Sequence, residues 1–405
     1  PFDPSMLRDE NGEAGLTGRY YNGPVPQGEP VQVRTDRTVN FNWIFALPHP
    51  ALDANCFSVV WTGSVVMPRT MDGCIGLSTQ DSMRLYVDDK LLIDGWGKDK
   101  SADQALDFHF EAGRTYKIRI EFVNDRRGAR VIFGYSAGRE NFPAAVEAAR
   151  KADVAILCMG DNEETSGENF DRTDLNLPGR QLELVQAVYA TGTPVVLVLQ
   201  SGRPVTANWE NDHLPAILEA WFPGEQGGTA IAKTLFGDAA PGGRLPITFP
   251  RSVGQIPCHY SRRPGGGKRY VEMDWLPLYP FGYGLTYTTF AYRDMTLSRS
   301  VIGPQDTVTV SVTVTNTGKY TGDAVPQLYV RDMFSSVVKP ERQLAAFRRL
   351  TLAPGESRRV ELTVGPKQLR TLGPDYVWRV EPGKFELQLG DNAENILLRA
   401  DLTVE

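Results

Sequence analysis

Four carboxylates and one guanidinium lie within ten consecutive residues of this chain, at positions 163–172. The stretch reads Glu-Glu-Thr-Ser-Gly-Glu-Asn-Phe-Asp-Arg, and its glutamates are Glu163, Glu164 and Glu168. Carboxyl groups at neighbouring positions can donate and accept protons, so the stretch could carry out general acid–base chemistry. On composition alone, a cluster of charges more often solvates a long loop.

The position of this cluster favours chemistry. It follows directly on an apolar run at 153–160 and precedes a Pro-Gly pair at 178–179. An apolar run ending in Gly, a polar loop and a helix beginning after Pro-Gly are typical of a parallel strand whose carboxyl end carries a loop. Ligands bind at that edge of open α/β sheets.

The segment Ser166–Gly179 resembles the acid/base loop of glycoside hydrolase family 3, a family with many β-glucosidases and β-xylosidases. Four further segments are similar to that family in order and spacing, namely 195–205, 221–232, 235–250 and 277–287. The resemblance covers almost the whole chain. It implies a retaining glycosidase, most specifically a β-glucosidase that removes terminal non-reducing β-D-glucosyl residues.

Retaining glycosidases use two carboxyl groups about 5 Å apart, one as nucleophile and one as acid/base. Matching the loop residue by residue, the resemblance implies that Glu168 is the acid/base, with Glu163 and Glu164 as alternatives on the same loop. Glu168 must then hold a proton near neutral pH, which a neighbouring anionic nucleophile and partial burial would favour. Asp171 and Arg172 are expected to pin the loop as a partly buried pair.

The resemblance also implies that the nucleophilic Asp comes from a preceding barrel, and no stretch here offers eight βα units. We therefore expect this chain alone to be catalytically incomplete, with the barrel supplied by the same enzyme or by a companion chain. Either arrangement predicts an apolar face on the α/β domain that needs a partner. Asp274, in Met273-Asp274-Trp275, superficially resembles the family's nucleophile signature, but no barrel strand precedes it and we interpret it as a loop residue.

The chain is long enough for several domains. Residues 1–14 are a lead-in, and 15–138 alternate apolar and polar residues in short runs, as in a β-sandwich. That region resembles a protective-antigen-type carbohydrate-associated domain, which some family members carry as an insertion. Residues 139–290 alternate strand and helix patterns and predict an α/β sandwich with a mostly parallel sheet and helices on both faces. Residues 291–405 predict a second β-sandwich, which the resemblance identifies as fibronectin type III-like.

We expect neither a cofactor nor a metal ion. Calcium-dependent adhesins of the protective-antigen type use paired aspartates where this chain has Gln80 and Asp81, and a neutral amide is a weaker ligand for a hard cation. Gly224–Gly228 lacks the Gly-x-Gly-x-x-Gly spacing of a dinucleotide site, so a nucleotide-binding enzyme is a poor alternative. Cys158, within the apolar run, is expected to be buried.

Composition limits the partners. The net charge of −6, from 43 basic and 49 acidic residues, disfavours nucleic acid and suits a neutral β-glucoside or oligosaccharide. No apolar run is long enough to span a membrane. Localisation stays open between cytoplasmic and periplasmic or secreted, and a homodimer is possible. The alternative to an enzyme is a non-catalytic carbohydrate-binding or adhesion module.

Overall fold

The computed structural model describes residues 1–43, 46–79, 81–97, 104–124, 129–137, 142–163, 165–265 and 269–405. The chain divides into two compact units, Pro1–Asn141 and Phe142–Glu405. Within the described ranges, no helix combines the length and the apolar character needed to cross a bilayer.

In its described residues, the first unit consists of β-strands and one turn of 3-10 helix at Pro4–Met6. Its strands are β1 (Leu7–Arg8), β2 (Leu16–Asn22), β3 (Gln32–Asp36), β4 (Asn40–Asn42), β5 (Phe57–Val66), β6 (Met71–Thr79), β7 (Ser82–Val87), β8 (Lys90–Asp94), β9 (Gln104–Phe110), β10 (Thr115–Asn124) and β11 (Arg130–Ala137). They form one sheet in the order β3-β2-β5-β10-β7-β8, with β1 also paired to β5, and a second sheet in the order β4-β11-β6-β9.

Both sheets of the first unit contribute to one apolar core. Trp61 and Ile120 from the first sheet and Ile75 and Phe133 from the second are almost completely buried within it. Two sheets around a shared core are a β-sandwich, as the alternating pattern predicted. The likeness of this sandwich to protective-antigen-type domains stays a prediction.

The expected weak calcium position falls partly outside the described residues, because Gln80 is not among them, and Asp81 is buried. In the part of the chain that the structure describes, no group of three or more His, Cys, Asp or Glu side chains is placed to hold a metal ion. The lack of calcium binding therefore stays a prediction.

The second unit begins with an α/β part. Its elements are α1 (Pro143–Arg150), β12 (Ala155–Gly160), α2 (Gln181–Tyr189), β13 (Val195–Gln200), α3 (Asn208–His213), β14 (Ala216–Glu219) and α4 (Gly227–Leu235), and a 3-10 turn follows at Val253–Gln255. The three strands form a parallel sheet in the order β12-β13-β14. One face of this sheet packs on α1 and α2, with Leu197, Val185 and Val188 buried between them.

The other face of this sheet is open along β12. Ile156 is 45% exposed and Cys158 is exposed, although Val198 on the neighbouring strand is fully buried. The expectation that Cys158 is buried is therefore wrong, because β12 is an edge strand of the described sheet and alternate side chains on it project from the face opposite the helices. The alternation of elements predicted helices on both faces, and among the described residues none covers this second face at β12.

The remainder of the second unit is a β-sandwich. Its elements are β15 (Phe290–Leu297), β16 (Val301–Ile302), β17 (Val308–Asn316), β18 (Gly322–Ala324), β19 (Gln327–Asp332), β20 (Gln343–Phe347), β21 (Leu350–Leu352), β22 (Ser357–Val364), α5 (Pro366–Leu369), β23 (Thr371–Leu372), β24 (Trp378–Arg379), β25 (Gly383–Gly390) and β26 (Ile396–Val404). The sheets β15-β17-β22 and β16-β26-β25-β19-β20 enclose its core. The strict alternation along β17 places Val308, Val310, Val312 and Val314 in that core, each fully buried.

A buried amide connects this sandwich to the segment that leads into it. The Gln327 amide nitrogen on β19 donates to the carbonyl oxygens of Gly282 at 3.0 Å and Asp391 at 2.6 Å, and the amide oxygen accepts a hydrogen bond from the Tyr329 hydroxyl at 2.7 Å. A side chain on residue 282 would collide with the Gln327 amide, and the backbone of Gly282 also has a positive φ of 83°. Glycine is therefore required there.

Candidate active site

The acidic loop, residues 161–180, begins at the carboxyl end of β12 and ends where α2 begins. Its two ends are joined by one side chain, because the Gln181 amide accepts from the Gly160 N–H at 2.7 Å and donates to the Gly160 carbonyl at 2.8 Å. Lower in the loop, the Thr206 hydroxyl donates to the Asn176 side-chain oxygen at 2.6 Å and Leu177 enters the core. The long loop therefore has a fixed base.

Glu168 stands at the corner of a tight turn near the middle of this loop. The Phe170 N–H donates to the Gly167 carbonyl at 3.2 Å, and Asn169, the third residue of the turn, has a φ of +64°. Asparagine is among the few residues that tolerate this conformation, which explains its presence there. Glu168 is exposed, and it makes no hydrogen bond or ion pair with any other residue in the described ranges.

Asp161, the first residue of the loop, is a buried carboxylate that bonds to residues on both sides of this turn. Its side chain is 3% exposed, and its Oδ1 accepts from the Thr165 hydroxyl at 3.0 Å and from Arg172 Nη1 at 3.1 Å. Arg172 also donates to the Asn176 carbonyl at 2.8 Å. Arg172 thus braces the loop through Asp161, whereas Asp171 is exposed and is not its ion-pair partner in the described structure.

Arg203 reaches the same turn from the loop after β13. Its guanidinium donates to the Phe170 carbonyl from both Nη atoms at 3.4 Å and to the Ser166 hydroxyl at 3.4 Å, while Nε lies 3.8 Å from Asp161 Oδ2. A side chain at Gly202 would collide with Ser166 and Phe222, so glycine lets the two loops approach closely. The two arginines and Asp161 are hereafter called the clamp.

Glu219 is a further carboxyl group at this edge of the sheet, in addition to Asp161 and Glu168. Glu219, the last residue of β14, accepts from the Trp221 N–H at 2.9 Å through Oε1. Burial raises the pKa of Glu219 to about 7, and the negative charge of Asp161 adds to that shift. Within the described residues, Glu219 Oε2 and Asp161 Oδ2 are buried without a hydrogen-bond partner.

The structure thus separates the residues that the sequence grouped. Glu163 is exposed like Glu168, and Glu164 lies outside the described residues. Asp274 lies in an irregular segment, where its Oδ1 accepts from the Leu276 N–H at 3.0 Å, as a loop residue would. Sequence reasoning missed Asp161, Arg203 and Glu219, although all three lie at or just beyond the carboxyl ends of the three parallel strands, and that shared position was the available signal.

Comparisons with known families identify the chain. The family model described as the glycosyl hydrolase family 3 C-terminal domain matches residues 27–287, well over half of the chain. The chain belongs to glycoside hydrolase family 3. A fibronectin type III-like domain model matches residues 324–393, within the last sandwich.

Several relatives are similar over long stretches. A β-xylosidase of Formosa agariphila is 45% identical over 72% of this chain and 42% of its own length, and a β-glucosidase of Rhizobium radiobacter is 34% identical over 96% of this chain and 51% of its own length. The crystal structure of a Kluyveromyces marxianus β-glucosidase in complex with glucose matches with a TM-score of 0.75 and 28% identity, over 100% of this chain and 52% of that one. The chain therefore spans about half the length of the relatives it matches.

Proposed function

We propose that this chain is the acid/base-bearing part of a retaining family 3 glycosidase, with Glu168 as the proton donor. The observation that carries the proposal is the braced turn that presents Glu168 at the carboxyl edge of a parallel sheet. A barrel domain, in the same polypeptide or in a companion chain, would supply the nucleophile. No set of strands in the described ranges forms such a barrel.

In the proposed mechanism, a carboxylate of the barrel attacks the anomeric carbon while Glu168 gives its proton to the departing glycosidic oxygen. Glu168 then takes a proton from the water molecule that hydrolyses the glycosyl–enzyme intermediate. The exposed side chain on a fixed turn suits this role, since it can enter a site completed by another domain. The partial burial that retention of the proton requires would come from that domain.

The substrate class that we propose is a β-glucoside with a neutral sugar or oligosaccharide as leaving group. It is supported by the names of the relatives, which include both β-glucosidases and a β-xylosidase. Rates of hydrolysis by the complete enzyme on a panel of aryl β-glucosides and aryl β-xylosides distinguish a β-glucosidase from a β-xylosidase.

Glu168→Gln in the complete enzyme, that is, this chain together with its barrel, tests the proton donor. We expect a loss of about 10²–10⁴-fold in kcat/KM for disaccharides, whose leaving group needs protonation, and a much smaller loss for activated aryl glycosides. Glu163→Gln, an exposed glutamate on the same loop, is the matched control and should behave as wild type.

Equal losses on both substrate types, or a larger effect at Glu163, would contradict the assignment of Glu168. Polysaccharide binding by the complete protein without any hydrolysis would instead favour the non-catalytic carbohydrate-binding module.

A further inference from the structure

The hydrogen bonds of the clamp reach residues on both sides of Glu168. Arg203 binds Ser166 and Phe170, two residues before and two residues after Glu168. Asp161 binds Thr165 and Arg172, three residues before and four residues after it. Arg203 thus holds the two sides of the turn from outside the loop, and Asp161 holds the loop residues before and after it.

The three side chains of the clamp are also largely shielded from water. The Asp161 side chain is 3% exposed, and the side chains of Arg172 and Arg203 are 17% and 23% exposed. Ion pairs in such surroundings are screened much less than pairs at the surface. Removing one partner of a buried pair leaves an uncompensated charge, so the loss of any of the three members should weaken the contacts of the other two.

We propose that Asp161 and Arg203 are positioning residues that hold the Glu168 turn in the geometry for proton transfer. The inference rests on the proposed function of Glu168, and neither residue contacts the reacting atoms. Arg203 ties the turn to the end of β13 and Asp161 ties it to the end of β12, so the sheet itself sets the height and angle of Glu168. A displacement of about 1 Å in a catalytic group can cost about 100-fold in rate.

A role in positioning makes a different kinetic prediction from a role in stability alone. Arg203→Gln keeps a polar side chain but loses the charge facing Asp161 and the fork that spans the turn. In the complete enzyme we expect kcat for disaccharides to fall about 100-fold, kcat for activated aryl glycosides to fall less than about fivefold, and KM to change little. Asp161→Asn should show the same dependence on leaving group, and Arg203→Lys should recover part of the loss.

Two comparisons keep the outcomes separate. Arg150→Gln, an exposed arginine at the end of α1, is the control and should match wild type on both substrates. If Glu168→Gln shows the leaving-group dependence while Arg203→Gln and Asp161→Asn lower both rates equally, the positioning role is overturned and the proposed function stands. If Glu168→Gln shows no such dependence, the proposed function itself fails.

A second measurement uses this chain without the barrel. Hydrogen exchange of the backbone amides at 165–172 should quicken at least tenfold in Arg203→Lys, while the amides of α2 exchange as in wild type. The lysine variant also carries the kinetic test if Arg203→Gln does not fold, because it keeps a cation beside the buried carboxylate. Unchanged exchange at 165–172 would overturn the proposal.

Discussion

At the scale of single residues, the two carboxyl groups at the ends of β12 and β14 differ in their partners. Asp161 contacts two arginines, whereas among the described residues Glu219 accepts a hydrogen bond from the Trp221 N–H alone, and the negative charge of Asp161 raises the pKa of Glu219 further. Burial therefore opposes the ionisation of Glu219 more clearly than that of Asp161.

Glu219→Gln should remove a pH dependence of stability. The folded-state pKa is raised from 4.5 to about 7, so between these values the unfolded state ionises first and stability falls as pH rises. At about 1.4 kcal/mol per pKa unit, the loss in wild type is roughly 3 kcal/mol, and the glutamine variant should not show it. Urea unfolding of the second unit at pH 5, 6, 7 and 8 measures this difference.

The control for that titration is Glu225→Gln, an exposed glutamate a few residues further along the chain. It should keep the pH dependence of wild type. A Glu219→Gln variant whose stability runs parallel to wild type across this range would show that Glu219 does not titrate as described.

Asn169 offers a second residue-scale prediction, because its φ of +64° is strained for most side chains. Asn169→Val should open the turn, since a β-branched residue in this conformation costs about 1–3 kcal/mol, whereas Asn169→Gly should not. Exchange of the Phe170 amide, which donates to Gly167, is the measurement. Equal protection of this amide in both variants would contradict the strain argument.

The clamp shows what sequence reasoning could and could not reach at this scale. The resemblance that predicts Glu168 as the acid/base lies within a few consecutive residues, and that role stays a proposal. Asp161 and Arg203 are about forty positions apart and meet only because β12 and β13 are paired in register. No local sequence pattern indicates such a long-range contact. The sequence therefore predicted an ion pair of Arg172 with its neighbour Asp171, whereas the structure pairs Arg172 with Asp161.

At the scale of elements, the patterns that predicted best are those with a strict period. The alternation in β17 placed four valines in the core, because one face of an antiparallel strand is buried and the other is not. The apolar run of β12 gave the wrong prediction that Cys158 is buried. Such a run predicts burial on both faces of a strand, and it does not show that the strand lies at the edge of its sheet.

The buried amide that joins the last sandwich to the segment around Gly282 gives the element-scale prediction. Gln327→Leu leaves the carbonyls of Gly282 and Asp391 and the hydroxyl of Tyr329 without their partner in a buried site. Each such group costs about 1–3 kcal/mol, so the free energy of unfolding should fall by at least about 2 kcal/mol. Calorimetry should show this as a lower Tm of the second unit.

Gln343→Leu is the matched control for this junction, since Gln343 is an exposed glutamine on β20. It should shift the Tm only slightly. A Gln327→Leu protein as stable as this control would mean that the amide contributes little to joining the two elements.

At the scale of the whole molecule, the open edge and face of β12 should make this chain associate with itself. Val154 and Ile156 are 48% and 45% exposed, and an unpaired strand edge with apolar side chains is a template for further pairing. Ile156→Lys should therefore increase the monomer fraction in sedimentation velocity at tens of micromolar. Val377→Lys, at a similarly exposed valine, should not.

A wild-type chain that is monomeric at these concentrations would contradict this prediction. So would equal association of both lysine variants, since the edge of β12 would then not be the surface involved.

The exposed thiol of Cys158 on this strand has a practical consequence. A small electrophile such as iodoacetamide should alkylate it readily in the isolated chain, and the reaction should slow when another protein segment covers that side of the strand. Mass-spectrometric timing of the modification at this single sulfur would then report when the α/β part acquires its neighbour, with no enzymatic assay required.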